Sequence, residues 1–127
     1  MGGVFAKPLT IHDIVQLYLN IADPQFARAA PLLEKAGDAE CATLCWLALH
    51  DAASAQKVLD RSRMAREIKD PLVTIIRAVG NGKQEEIINA VSDYRCERQS
   101  RQSQQSPQWL TKLLYQIVSV PATFYRG

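Results

Sequence analysis

The sequence predicts an all-α fold of stacked antiparallel helical hairpins, about seven helices in all, and three observations carry that reading. Helix formers and alanine dominate, while the alternation of β-branched residues that marks strands is missing almost throughout. Apolar residues recur at helical spacing in segment after segment, punctuated by Asp, Pro and Gly. Gly37 to Arg63 reads as two short helices joined by a tight polar turn at His50 and Asp51. The first, Ala39 to Leu49, is apolar around most of its circumference from Leu44 onward, so neighbours must cover it on more than one side. The second, Ala53 to Ser62, has a single stripe of Ala55, Val58, Leu59 and Ser62, with Lys57, Asp60 and Arg61 left to water. An inner helix followed by an outer one is the unit of a hairpin stack.

Taken in order, residues 1–9 hold two glycines and Pro8 and read as a loose arm. Thr10 and Asp13 form a capping pair ahead of Ile14, Leu17, Tyr18 and Ile21, which predicts a first helix over about Ile11 to Ala22. Asp23 and Pro24 then suit a cap and first-turn pair, opening a helix whose inner face is Phe26, Ala29, Ala30 and Leu33. Pro31 lies inside it, and the loss of one backbone bond there predicts a kink near Ala30. Gly37 ends this segment and Asp38 caps the central helix.

After the outer helix, the charged run RSRMAREIKD fades toward Asp70. Asp70 and Pro71 read as a fresh cap and first turn for a short helix carrying Leu72, Ile75, Ile76 and Val79, stopped by Gly80, Asn81 and Gly82. Lys83 to about Arg98 follows, with Ile87, Ile88, Val91 and Tyr94 as its buried stripe and Glu85, Glu86 and Asp93 outward. Near 97–108 the composition turns to Arg, Gln and Ser and reads as a solvated helix end or linker. A last helix opens at Ser106 and Pro107 with a strong face of Trp109, Leu110, Leu113, Leu114 and Ile117, and docking on its own domain is the favoured fate of so large a face. Pro121 ends it, so residues 10–120 form one domain and 121–127 a tail.

A chain of 127 residues with 47% hydrophobic content suits one packed domain. Net charge is only +2, with both signs interspersed, so nothing in the global balance argues for nucleic acid. No apolar run reaches the roughly 18 to 20 residues of a membrane span, no secretory h-region is visible, and Ala6 breaks the myristoylation pattern after Gly2. Three irregularly spaced cysteines read as reduced thiols. A soluble, cytoplasmic protein is expected.

No motif points to catalysis or to a cofactor: there is no phosphate loop, no nucleophile elbow and no carboxylate pair on an apolar face. Cys41 and Cys45 lie one helical turn apart with His50 near, but zinc takes four ligands and neither Cys96 nor His12 is placed to complete a set, so no metal is expected. Arg61, Arg63, Arg66, Arg95, Arg98 and Arg101 offer a nucleic-acid alternative, diluted by Asp93 and Glu97. A regulatory homo-oligomer is a third class. The leading reading is a protein-binding surface, because helices too apolar for their own stripe invite an amphipathic helix of a partner into a concave groove. Tyr18, Trp46, Leu49 and Ile76 are the candidate groove residues, with Trp46 open between core and anchor.

A weak internal repeat sets LYLNIA with FARAAPLLEKA, LCWLALH with SAQKVLDRS, and TIIRAV with EEIINAVSDY, at a period a little below the roughly 34 residues of a tetratricopeptide repeat. Together with LLEKAG, DPLVTIIRAVGNG and the amphipathic last helix, this order resembles the small tetratricopeptide-like chaperones of the needle subunit in bacterial type III secretion. The resemblance covers about Phe26 to Ile117. It implies a cytoplasmic chaperone that cups the hydrophobic helix of a self-polymerising subunit, with a second small chaperone, until export. Pro31 and the Gln- and Ser-rich insertion before the last helix depart from the pattern.

Overall fold

The computed structural model describes residues 9–101 and 107–119; most of the expected arm, the expected tail and the centre of the Gln- and Ser-rich stretch lie outside them. The described residues form seven α-helices and one π-helical turn, with no strand among them. The all-α class is therefore met.

Helix α1 spans Ile11–Ile14 and is closed by a full capping box, in which Thr10 Oγ1 accepts from the Asp13 amide and Asp13 Oδ2 from the Thr10 amide, both at 3.1 Å. It does not continue as an α-helix to Ala22. From Val15 to Leu19 the backbone widens into a π turn, ended by the Asn20 amide donating to the Val15 carbonyl at 2.7 Å. With bonds reaching five residues, Ile14 and Leu19 share the inner side with Val15, and Leu17, expected inward, is 55% exposed. The Gln25 amide then ties to the Tyr18 carbonyl, which keeps Asp23 and Pro24 out of the next helix.

Helix α2 (Phe26–Ala36) runs unbroken through Pro31. Pro31 and Ala27 both lie on the exposed face, so the Ala27 carbonyl that loses its donor looks toward water, which limits the cost. The reversal into α3 (Ala39–Ala48) is a Schellman turn: Gly37 sits at φ +99°, Asp38 donates to the Leu33 carbonyl at 2.9 Å, and Asp38 Oδ1 caps the Cys41 amide at 3.0 Å. The next reversal repeats the device with a histidine. His50 lies at φ +57°, Asp51 donates to the Trp46 carbonyl at 3.0 Å, and Asp51 accepts from both the amide and the hydroxyl of Ser54 to start α4 (Ala52–Arg61).

A further helix boundary needs correction. The chain breaks at 62–65, and α5 then runs as a single helix over Arg66–Asn81 with Pro71 inside it rather than at its start. Half-buried Ile68 begins, one turn before Pro71, the apolar stripe that Leu72, Ile75, Ile76 and Val79 continue, so packing on the core accompanies the turn that an interior proline weakens. Gly82, at φ +70°, closes the helix; Gly80 lies in its last turn, where a Cβ would meet the Ala52 methyl at the start of α4 at 4.0 Å, ordinary contact. In α6 (Gln84–Arg101) the buried stripe is Ile87, Ala90, Val91 and Tyr94, while Ile88, expected inward, is 47% exposed one step off the stripe. The helix outlasts the expected linker start at 97. Helix α7 (Gln108–Val118) buries Leu110, Leu113, Leu114 and Ile117, as its pattern predicts.

At the centre stands α3, packed against α2, α4, α5 and α7. Its positions Cys41 to Cys45, Leu47 and Ala48 are all buried, and its buried hydroxyl, that of Thr43, donates to the Ala39 carbonyl at 2.7 Å. Successive helices from α2 to α7 touch in chain order, and α7 returns to lie on α3 as well as α6. No described helix is long and apolar enough to cross a membrane.

Candidate functional site

The four expected groove residues lie on the π turn, on α3 and its end, and on α5, and they differ in exposure. Tyr18 is half-buried in the π turn and Trp46 half-buried on α3, both packed against the core. Leu49, at the end of α3, is 40% exposed. Ile76 is only 7% exposed and belongs to the α5 core stripe, so it offers no surface to a partner. Five clefts of the molecule are lined by none of these four residues.

The cleft best suited to an apolar ligand surface lies elsewhere. Pro24 and Phe26, at the start of α2, face Gln108, Thr111, Lys112, Tyr115 and Gln116 of α7 across a groove of about 420 Å³. Pro24 contributes a carbon wall, Phe26 and Tyr115 two aromatic rings, and Thr111 a methyl; Gln108, Lys112 and Gln116, all exposed, complete the lining. Tyr115 is 70% exposed, the most exposed of the large hydrophobic side chains among the described residues. It stands beside the buried stripe of α7 rather than in it. The loop geometry sets the other wall, because the Gln25 to Tyr18 tie holds Pro24 and Phe26 at the mouth. An aromatic off the apolar stripe of an amphipathic helix was the signal available in the sequence.

Polar chemistry concentrates at the opposite end of α3. Glu40 Oε2 accepts from the Tyr94 hydroxyl at 2.6 Å and from Arg101 Nη2 at 3.2 Å, tying the end of α6 to the start of α3. Burial, and then the Glu40 charge, push the Tyr94 phenol well above its usual range. Arg101 Nε is buried with no hydrogen-bond partner among the described residues. Beside them Asp38 is raised by burial, against the Cys41 amide that favours its charged form. The Cys41 thiol is driven far up by its hydrogen bond with Cys45 and by burial, so it stays protonated, a poor nucleophile and a poor ligand. Among the described residues no three His, Cys, Asp or Glu side chains gather as a metal site.

Two of the arginines raised as a nucleic-acid surface have acidic partners. Arg61 pairs with Glu34 at 2.9 Å and Arg101 with Glu40 at 3.2 Å. Arg61 and Arg63 line a cleft of about 580 Å³ that also presents Glu34, Asp38 and Glu40, so no field of one sign results.

No protein-family model, curated protein or solved structure matches the chain.

Proposed function

We propose that the protein is a binding module that holds an amphipathic helix of a protein partner, with the groove between α2 and α7 as its docking surface. The observation that supports this reading is the carbon-walled groove itself, bearing Tyr115 at 70% exposure on a helix whose own apolar stripe is fully engaged. A tyrosine left to water beside Phe26 is the kind of rigid aromatic anchor around which interface energy collects. The resemblance in helix order to needle-subunit chaperones extends the reading: the partner is then a self-polymerising, exported subunit, and a cytoplasmic complex with a second small chaperone shields its helix from its own kind.

Affinity capture from the native cytosol with the wild-type chain and with Tyr115→Glu tests it. The wild type should retain a small helical protein that Tyr115→Glu loses, while the melting temperature stays unchanged because Tyr115 contributes little to the core. Equal retention by both chains, or no small helical partner on either, overturns the reading.

A further inference from the structure

We propose that the groove between α2 and α7 takes an acidic helix, one whose apolar stripe seats between Phe26 and Tyr115 and whose flanking edge presents carboxylates to Lys112. This deepens the reading of the groove as a helix-docking surface and rests on it. From Arg98 to Gly127 the sequence holds four basic residues and no acidic one. Helix α7 belongs to that part of the chain, and Lys112 is its single charge.

Lys112 is also the one charged side chain among the residues that line the groove. It is exposed, and no ion pair among the described residues claims it. Gln108 and Gln116 stand one turn before it and one turn after it on the same side of α7, and both are neutral. The opposite wall does not offset the charge. Asp23 and Arg28, the charged residues nearest Pro24 and Phe26 in the chain, are of opposite sign, and neither lines the groove. Carboxylates do line other clefts: Glu34, Asp38 and Glu40 in the one beside Arg61, and Glu67, Asp70, Asp93 and Glu97 in the one between α5 and α6. Those surfaces repel an acidic partner, and this one attracts it.

The wall also sets the length of the contact. From Gln108 to Gln116 it runs for about 12 Å at 1.5 Å per residue, a little over two helical turns. A docked helix therefore meets the groove with two or three apolar residues, at i and i+3 or i+4, and with an acidic edge of the same length. The charge acts on the choice of partner and on which edge turns toward α7, and the apolar stripe supplies the larger part of the affinity.

Two fluorescein-labelled peptides of about 18 residues, long enough to hold a helix, test the proposal against the full-length chain. Both carry Leu at i, i+3, i+4 and i+7 on an alanine background; one has Glu at the flanking positions and the other Lys. At low salt the Glu peptide should bind about three- to tenfold more tightly, and the difference should narrow as ionic strength rises. Lys112→Glu should reverse that order and leave the melting temperature unchanged, since the side chain is exposed. Tyr115→Ala should weaken both peptides. Equal affinity for the two peptides, or a preference that Lys112→Glu leaves as it was, overturns the proposal; where Tyr115→Ala still weakens both, the groove stands as a helix-docking surface without the charge rule. Binding that Tyr115→Ala does not weaken lies outside the groove and overturns the proposal too. Binding of neither peptide overturns the proposal and the docking reading together.

Discussion

Asp38 performs two tasks that pull its carboxyl in opposite directions. As cap of α3 it accepts from the Cys41 amide, which favours the charge; burial and the nearby Glu40 disfavour it, and burial is the larger effect, with Arg98 opposing. The folded pKa of this acid lies above its ordinary 3.8, so its ionised form costs stability at neutral pH, and that cost is relieved as pH falls through the raised value toward 3.8. Asparagine caps as well as aspartate but carries no charge. Asp38→Asn is therefore expected to match or exceed the wild type in urea melts at pH 7, with the advantage shrinking as pH approaches 4. An Asn variant that is less stable at pH 7, with a gap that does not change with pH, would show that the cap and not the charge governs this position. Tyr94 gives the companion case. Its hydroxyl donates to a carboxylate in a half-buried setting, and Tyr94→Phe should cost about 1.5 to 3 kcal/mol, read as a shift of the urea midpoint. Glu40, its acceptor, was not singled out by sequence because its two partners are far off in the chain.

At the scale of elements, local signals were legible where one short-range device decides the outcome. Thr10 with Asp13, Gly37 with Asp38, and the single stripes of α4 and α7 all form as read. The failures share a cause: a tertiary term outweighed a local one. Asp70 and Pro71 have the chemistry of a helix start, but Ile68 packs on the core and carries the stripe one turn further back. The π turn after Ile14 was hidden because a period of 3.6 already explained Leu17, and only the packing of Leu19 selects the wider turn. The candidate groove residues differ in exposure for a related reason. Periodicity marks Ile76 and Leu49 as apolar positions of helices without saying which are already covered. Pro31 allows a direct measurement of the local term. Pro31→Ala restores the amide that the Ala27 carbonyl lacks on an exposed face, so thermal unfolding should shift upward by the equivalent of about 1 to 3 kcal/mol. The gain is smaller than the full interior-proline penalty because alanine also frees the unfolded chain. A lower melting temperature would mean that the proline ring packs usefully where it stands.

The whole molecule is arranged so that its last helix closes on its central one. In an open repeat stack each unit leans only on its neighbours, and damage stays local. Here α3 touches α2, α4, α5 and α7, so a cavity in it is felt by four helices that cannot all move inward at once. Leu47 is fully buried in α3, and Leu47→Ala should cost about 3 to 5 kcal/mol, a large share of the 5 to 15 kcal/mol that holds a domain of this size together. Leu49, two residues along at the mouth of the turn, is 40% exposed, and Leu49→Ala should cost no more than about 1 kcal/mol. The same chemical change in one helix end is thus expected to differ severalfold, read from urea denaturation of both variants beside the wild type. Equal costs would place Leu49 under cover and move the boundary between core and surface past the end of α3. A small cost at both positions would mean that the hub relaxes into the cavity, as a loosely stacked array can and a closed bundle cannot.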